Sequence, residues 1–459
     1  MSDPTVTARS WWRRVPLVVV ALVAAACAAG EGTGGDAATV GQVAAVGADD
    51  GENADPPGRE TVDETASTSE AAAASTVPAA ADAGDDPEGE SPDGEHADDP
   101  EAAIGAAVEA WMLEGGVPGA AVAVVLADDE VIEVARGVAD LRSGQPLSSE
   151  DYFRTGSTTK PLTAAVVLQL AEEGRLALDE PVTSYLGEGW SLGYEYEPEL
   201  TVRNLLDHTS GYAEFAADPG FFGAASERLD RAFEPAEILA WAADRGPVAP
   251  VGSEYSYTTV GHVAIGLVIE SVTGNAAAGV MRDRLFDPVG AGDIYLTPLF
   301  SPPEPVVTGY VGGEVKAQLS LLAGFAEYTD AAAVDGYYDV SVVPQQALRS
   351  AGWTGGGLES QVDDLAIVFA SLFDGTALSA DSVTEMLTTT VDETYGLSVG
   401  LSRVGEHEVY SHGGGVPGFR SIVAYVPELD VAVAISANLV PIVPDIDELL
   451  ADIVALLTG

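Results

Sequence analysis

Two sets of period-two stretches, one at each end of the folded region, constrain this chain more than any other feature. Near its start, "AAVAVVLADDEVIEVARGVADL" (Ala120–Leu141) reads as two strands about a turn at Asp128-Asp129, and a third short strand reaches "DYFRTG". Near its end, "YGLSVGLSRV", "HEVYSHGG", "FRSIVAYVPE" and "DVAVAISANL" repeat the pattern. Between them, from Asp179 to about Leu296, helical signals dominate: "TVRNLLDHTSG", "PAEILAWAADRG" and "VGHVAIGLVIESVTG". "EAAIGAAVEAWMLEGG" predicts a helix before the first strand, stopped at Gly115-Gly116, and "DIDELLADIVALL" predicts one after the last. Residues 297–351 are mixed and punctuated by Pro and Gly, and they give no clear periodicity. Strands at both ends around a helical middle predict an α+β fold. One antiparallel sheet built from both ends would be flanked by helices and carry an inserted helical subdomain.

The folded region begins near Glu101. Residues 28–100 are almost entirely Ala, Gly, Asp, Glu, Ser, Thr and Pro, and bury too little apolar surface to offset ordering entropy. They are expected to form an acidic, disordered tether, extended by its own charge. Before them, "ARSWWRRVPLVVVALVAAACAAG" has a basic start, an apolar run from Val15 to Ala26 and then small residues, the pattern of a secretory signal. Ala24-Ala25-Ala26-Cys27 is similar to a bacterial lipoprotein box, in which Cys27 would be lipidated and become the mature N-terminus. Plain signal-peptidase cleavage or an uncleaved anchor are the alternatives. Each version places residues 101–459 outside the cytoplasm. Cys27 is the one cysteine, so neither an intrachain disulfide nor a cysteine metal cluster is available.

A formal charge of −54 excludes two partner classes, because such a surface repels nucleic acid and anionic headgroups. The expected partners are a small-molecule or peptide substrate, and a membrane only through the lipid anchor. The oligomeric state is not legible. The acidity itself reads as a solvated surface suited to high salt.

Against this background one residue is out of place. Lysine occurs twice, at Lys160 and Lys316, among 19 basic residues. Lys160 follows Ser157 by three positions at the head of the apolar helix "TKPLTAAVVLQLAEEG". An i, i+3 pair on a helix shares one face, roughly 5–6 Å apart at Cβ. A serine hydroxyl is a weak nucleophile until a base takes its proton, and a lysine does so only where desolvation leaves its amine neutral. The helix supplies that burial, and its N-terminus favours an oxyanion beside Ser157.

The "GSTTKPLTA" stretch resembles the active-site helix of the serine β-lactamase and penicillin-binding family, whose nucleophile motif is S-x-x-K. "TVRNLLDHTSG", the "YSYTTVGHVAIGLVIESVTG" segment, "GGGLESQVDDLA" and "SHGGGVPGF" follow in the family's order, so that the resemblance spans about Ala102 to Leu457. It is nearest to class C β-lactamases, D-alanyl-D-alanine carboxypeptidases and related esterases. It implies Ser157 as the acylated nucleophile, Lys160 as its activating partner and Tyr257 as a proton relay, without saying whether Lys160 or Tyr257 is the first base. The backbone N–H groups of Ser157 and Gly415 would form the oxyanion hole. His412, Gly413 and Gly414 match the third motif, with His412 offering the substrate a hydrogen bond and the glycines letting the strand lie against the acyl group. One position departs: the second motif is Tyr-x-Asn in the family and Tyr257-Thr258-Thr259 here. Thr259 could still bond Lys160, but one hydroxyl cannot repeat both roles of an amide.

The resemblance thus implies an exported serine hydrolase acting through an acyl-enzyme on an amide or ester: a D-amino-acid peptide, a β-lactam or a small ester. The alternative is a non-hydrolytic penicillin-binding-like sensor or scaffold, which the Thr259 departure and the long tether keep open. No metal or organic cofactor is implied. His208 sits in the turn "DHTSG", where it reads as structural, and His96, His262 and His407 show no metal-ligand spacing.

Overall fold

A computed structural model describes residues 99–187, 199–298, 301–303, 306–312 and 328–458. The leader, Cys27, the tether and His96 lie outside the described residues.

Helix α1 (Pro100–Gly115) is capped by the Asp99 side chain and ends where Gly116 turns left-handed, at φ 61°. The first strands are β1 (Gly119–Val125), β2 (Val131–Asp140), β3 (Gln145–Pro146) and β4 (Phe153–Gly156). Helix α2 (Thr159–Glu172) follows directly on β4. The middle contributes α3 (Val202–Leu206) and α4 (Thr259–Thr273) among other helices, then the short strands β5 (Ile294–Leu296), β6 (Tyr310–Val311), β7 (Ala333–Val334), β8 (Tyr337–Asp339) and β9 (Leu358–Ser360). After α5 (Val362–Ser371) come β10 (Gly400–Val404), β11 (His407–Val416), β12 (Phe419–Val426), β13 (Val431–Ala437), β14 (Leu439–Val440) and the closing helix α6 (Ile446–Thr458).

The two ends of the chain meet in one seven-stranded antiparallel sheet, ordered β10-β11-β12-β13-β1-β2-β3, in which Val122 of β1 faces Ile435 of β13 and Val134 of β2. The α+β expectation is met. Both faces are covered, which explains why β1 and β13 are buried throughout and, Ser436 apart, do not alternate with polar residues. Ala120, Val122 and Val124 pack with Ile104, Val108 and Trp111 of α1 and Leu449 and Ile453 of α6. Ala121 and Ala123 face the other way, onto a core shared with Leu162 and Val166 of α2, Ile265 of α4 and Phe369 of α5.

One expectation needs correction. The "DYFRTG" strand does not extend the large sheet. It forms a separate three-stranded sheet, β4-β9-β5, which pairs Phe153 with Ser360. Residues 297–351 contribute most of a four-stranded sheet, β14-β6-β8-β7. No pattern was legible there because its strands are only two or three residues long.

Candidate active site

Ser157 lies in the turn between β4 and α2 and is half-buried, where the sequence placed it on the helix itself. The turn is tied at several points. Lys160 N–H donates to the Ser157 carbonyl at 3.0 Å. The Thr158 and Thr159 hydroxyls donate back to the carbonyls of Thr155 and Gly156, at 3.2 and 2.6 Å. Gly156 has φ +59°, and a Cβ there would stand 2.8 Å from the Gly415 nitrogen. Glycine therefore serves twice, by supplying a left-handed backbone and by letting β4 approach β11. That approach sets the Gly415 N–H beside the Gly156–Ser157 peptide.

Lys160 is fully buried, and it is the one lysine among the described residues. Its Nζ lies 3.0 Å from Ser157 Oγ, 2.7 Å from the Gly355 carbonyl and 3.3 Å from Thr259 Oγ1. Burial pushes its pKa down to about 7, while the Glu214 charge opposes the shift. A neutral amine has two hydrogens and one lone pair. Gly355 O can only accept, so it takes one hydrogen; the Thr259 and Ser157 hydroxyls can each give or accept, and with the second hydrogen on Thr259 Oγ1 the lone pair faces the Ser157 hydroxyl. This arrangement is the physical content of a lysine acting as a base.

Tyr257 is also buried, with Lys160 Nζ 4.8 Å from its ring centroid. Burial drives its pKa up, and a hydrogen bond with Ser157 only partly offsets this. The phenol therefore stays protonated. The structure thus brings Ser157, Lys160, Tyr257, Thr259 and Gly415 together.

The third motif departs from expectation. His412 is buried, and both of its ring nitrogens are engaged within the protein: Nε2 with Tyr395 Oη at 3.0 Å and Nδ1 with the Gly413 carbonyl at 2.7 Å. Burial and the Lys160 charge hold its pKa down to about 3. It faces the back of the site and not the cleft. Gly414 also serves another purpose than contact with an acyl group. A Cβ at this position would lie 1.8 Å from the Thr155 carbonyl, so the absent side chain lets β11 lie against β4. The part of the motif that reaches the cleft is Gly415-Val416-Pro417.

Two contributors escaped the sequence reading. Glu214, in the loop after "DHTSG", accepts from the Thr259 N–H through Oε2 and from the Ala216 N–H through Oε1 at 2.8 Å. It thereby fixes the start of α4. Tyr395 bridges His208 and His412. Neither residue stands in a motif, and apart from Ala216 the partners named here lie 17 to 187 residues away. His208 and His262 are buried beside the site, and among the described residues no group of three or more His, Cys, Asp or Glu could hold a metal ion.

The cleft over Ser157 encloses about 590 Å³, part of it open to solvent. Its walls are Phe215, Ala216, Phe221, Leu348, Val416 and Pro417, with the Gly355-Gly356 backbone and Thr259. Among the described residues no charged side chain lines it. An apolar wall beside one activated hydroxyl and two backbone donors suits a neutral carbonyl compound.

Comparison with known proteins places this geometry. Penicillin-binding protein 4 of Amycolatopsis lactamdurans is 34% identical over 183 residues, which cover 40% of this chain and 45% of that protein. Esterase EstB of Burkholderia gladioli is 34% identical over 182 residues, 38% of this chain and 46% of the esterase. The matched stretch thus spans under half the length of either relative. The solved structure of D-amino acid amidase from Ochrobactrum anthropi SV3, complexed with L-phenylalanine amide, superposes with a TM-score of 0.67 at 23% identity over 78% of this chain and 99% of the amidase; at that identity it shows the fold. The model of the Beta-lactamase family matches residues 99–456, well over half of the chain, and the protein belongs to that family.

Proposed function

We propose that this protein is a serine hydrolase that acylates Ser157 with an ester or amide carrying an apolar acyl group, and then releases the acid to water. One observation carries the reading: a buried amine, 3.0 Å from Ser157 Oγ, with Gly355 O and Thr259 Oγ1 at 2.7 and 3.3 Å to take its two hydrogens. In acylation the Ser157 proton passes to Lys160 Nζ as Oγ bonds to the carbonyl carbon. The carbonyl oxygen takes the electron pair, facing the N–H groups of Ser157 and Gly415, an arrangement worth several kcal/mol. On collapse the bond to the leaving group breaks. The leaving group takes a proton from Tyr257 Oη, which Lys160 replenishes. Water repeats the sequence in reverse on the acyl-enzyme. Relatives named as an esterase, a D-aminopeptidase and penicillin-binding proteins support this chemistry and bracket the substrate class.

The cleft favours small neutral esters and amides over β-lactams or D-alanyl peptides, both of which present a carboxylate. The test is a panel of p-nitrophenyl esters, D-amino-acid amides and nitrocefin, together with fluorophosphonate labelling, on wild type and Ser157→Ala. Turnover and labelling that both vanish in Ser157→Ala support the enzyme. A stable label without turnover supports the sensor reading, which the loss of the second-motif asparagine favours. No labelling at all defeats both.

The N-terminal pattern supports an extracytoplasmic location with Cys27 as the lipid-bearing residue. Cys27→Ser should then move the protein from the membrane fraction to the medium. Retention in the cytoplasm would contradict export.

A further inference from the structure

Behind Tyr257, on the side away from the cleft, lies a layer of buried aromatic and imidazole side chains that takes no part in the acylation steps. His208 occupies it with a left-handed backbone, at φ 60°, uncommon for a residue with a side chain. The ring of His208 stands 4.3 Å from that of Tyr257 between centroids, and the ring of His412 stands 6.3 Å away on another side. Tyr395, just before β10, is buried between the two histidines. Its Oη is 3.1 Å from His208 Nε2 and 3.0 Å from His412 Nε2.

The hydrogens in this layer follow from valence. The Thr258 N–H donates to His208 Nδ1 at 3.2 Å, so Nδ1 carries no hydrogen. In a neutral imidazole the hydrogen must then sit on Nε2, which donates to Tyr395 Oη. The Gly413 carbonyl can only accept, so His412 keeps its hydrogen on Nδ1 and donates it there at 2.7 Å. His412 Nε2 then accepts from the Tyr395 hydroxyl. The reverse direction is closed, because it would need His208 to accept at both nitrogens, as an imidazolate. Four hydrogen bonds thus run one way, from the Thr258 peptide to the Gly413 peptide.

We propose that Tyr395 is a positioning residue for the Ser157 site: its hydroxyl joins His208 to His412 in one directional hydrogen-bond chain that holds Tyr257 and the Gly413–Gly415 segment in register. The two ends of the chain are the two parts of the site that must stay aligned. Thr258 lies between Tyr257 and Thr259. Gly413 lies two residues before Gly415, whose N–H faces the reacting carbonyl. His208 is fastened independently, as its carbonyl accepts from the Ser256 N–H at 2.8 Å. This inference rests on the hydrolase reading above, for it assigns Tyr395 to the same site.

The chain has no place for an extra proton. A doubly protonated His208 would set an N–H against the Thr258 N–H. A doubly protonated His412 would set one against the Tyr395 hydroxyl. The surroundings agree: burial and nearby positive charge, from Lys160 on both rings and Arg420 on His412, keep both imidazoles neutral well below their usual range. Burial opposes ionisation of Tyr395, with Tyr255, Tyr257 and Asp207 adding to it, and His262 stands 5.2 Å from His208 between ring centroids.

The tautomers can be read on the full-length wild type by long-range ¹H–¹⁵N spectra with labelled histidine. The expected result is one Nε2–H ring, His208, and one Nδ1–H ring, His412, neither titrating between about pH 5.5 and 9. Equal tautomers, or titration of either ring in that range, overturn the chain. Tyr395→Phe keeps the ring and removes only the hydroxyl. With enzyme concentration fixed by active-site titration, kcat on a p-nitrophenyl ester and the rate of fluorophosphonate labelling should both fall about 10- to 100-fold with KM little changed. The His412 ring should also begin to titrate. A variant that loses thermal stability but keeps kcat and its tautomers would show a purely structural tyrosine and overturn the proposal. If wild type itself neither turns over nor labels, the hydrolase reading fails and takes the positioning role with it, while the wild-type spectra separately confirm or reject the chain.

Discussion

Lys160 Nζ faces three oxygens, and as a neutral amine it has hydrogens for only two; its chemistry turns on whether the third partner gives or receives. Lys160 accepts the serine proton only when its amine is deprotonated, so acylation should rise with pH along an acid limb centred near pH 7, the value to which burial brings this amine. The limb belongs to Lys160 and Glu214 jointly, because each charge favours the other. Glu214→Gln removes the carboxylate that supports the ammonium, and a pH profile of kcat/KM should show the limb moved to lower pH. An unmoved limb would mean that Glu214 acts only as an anchor for the Thr259 peptide. Stability follows from the same site. The folded amine titrates near 7 and an unfolded one near 10.5, so between those values the unfolded chain holds a proton that the folded chain has lost. Stability therefore gains as pH rises through that window, and below pH 7 the full cost of a buried ammonium is present. Lys160→Met removes that cost. At neutral pH it should raise the melting temperature, by an amount equivalent to a few kcal/mol, and abolish turnover.

The site is an encounter between elements, and β4 and β11 set it. Their approach needs no side chain at Gly156 or Gly414. Gly156→Ala imposes both a left-handed φ and a contact with the Gly415 nitrogen. It should cost about 1–3 kcal/mol of stability in urea titrations and about 100-fold in kcat, since a 1 Å misplacement suffices for that. A variant with normal kcat would show that the Gly415 N–H is dispensable. What the sequence revealed divides along the same line. The two halves of the sheet announced themselves through apolar strand runs, and the Ser157–Lys160 pair through local spacing, because each signal is carried by residues close in the chain. β4 looked like another strand of the large sheet, since a four-residue strand says nothing about its partner. His412 kept its place in the third motif but not its expected direction, because its orientation is fixed by Tyr395 and not by its neighbours in sequence. Glu214 and Tyr395 were silent for the same reason.

At the scale of the molecule, charge and site are kept apart. The chain carries −54, and every ion pair among the described residues is made by arginine and none by Lys160. The self-repulsion acts across solvent, where the Debye length shrinks from about 10 Å at 0.1 M salt to about 3 Å at 1 M. The Lys160 amine is buried and hardly feels that change. Salt should therefore raise the melting temperature while leaving kcat/KM on a neutral p-nitrophenyl ester nearly constant. An anionic substrate approaches against the field of the whole surface, which slows encounter until salt screens it. Nitrocefin, which bears a carboxylate, should gain in kcat/KM as salt rises, and the neutral ester should not. The decisive measurement is the ratio of the two from 0.1 to about 2 M NaCl. A ratio that stays flat would mean that the acidic surface has no say in which substrates reach Ser157, and that discrimination lies in the cleft walls alone.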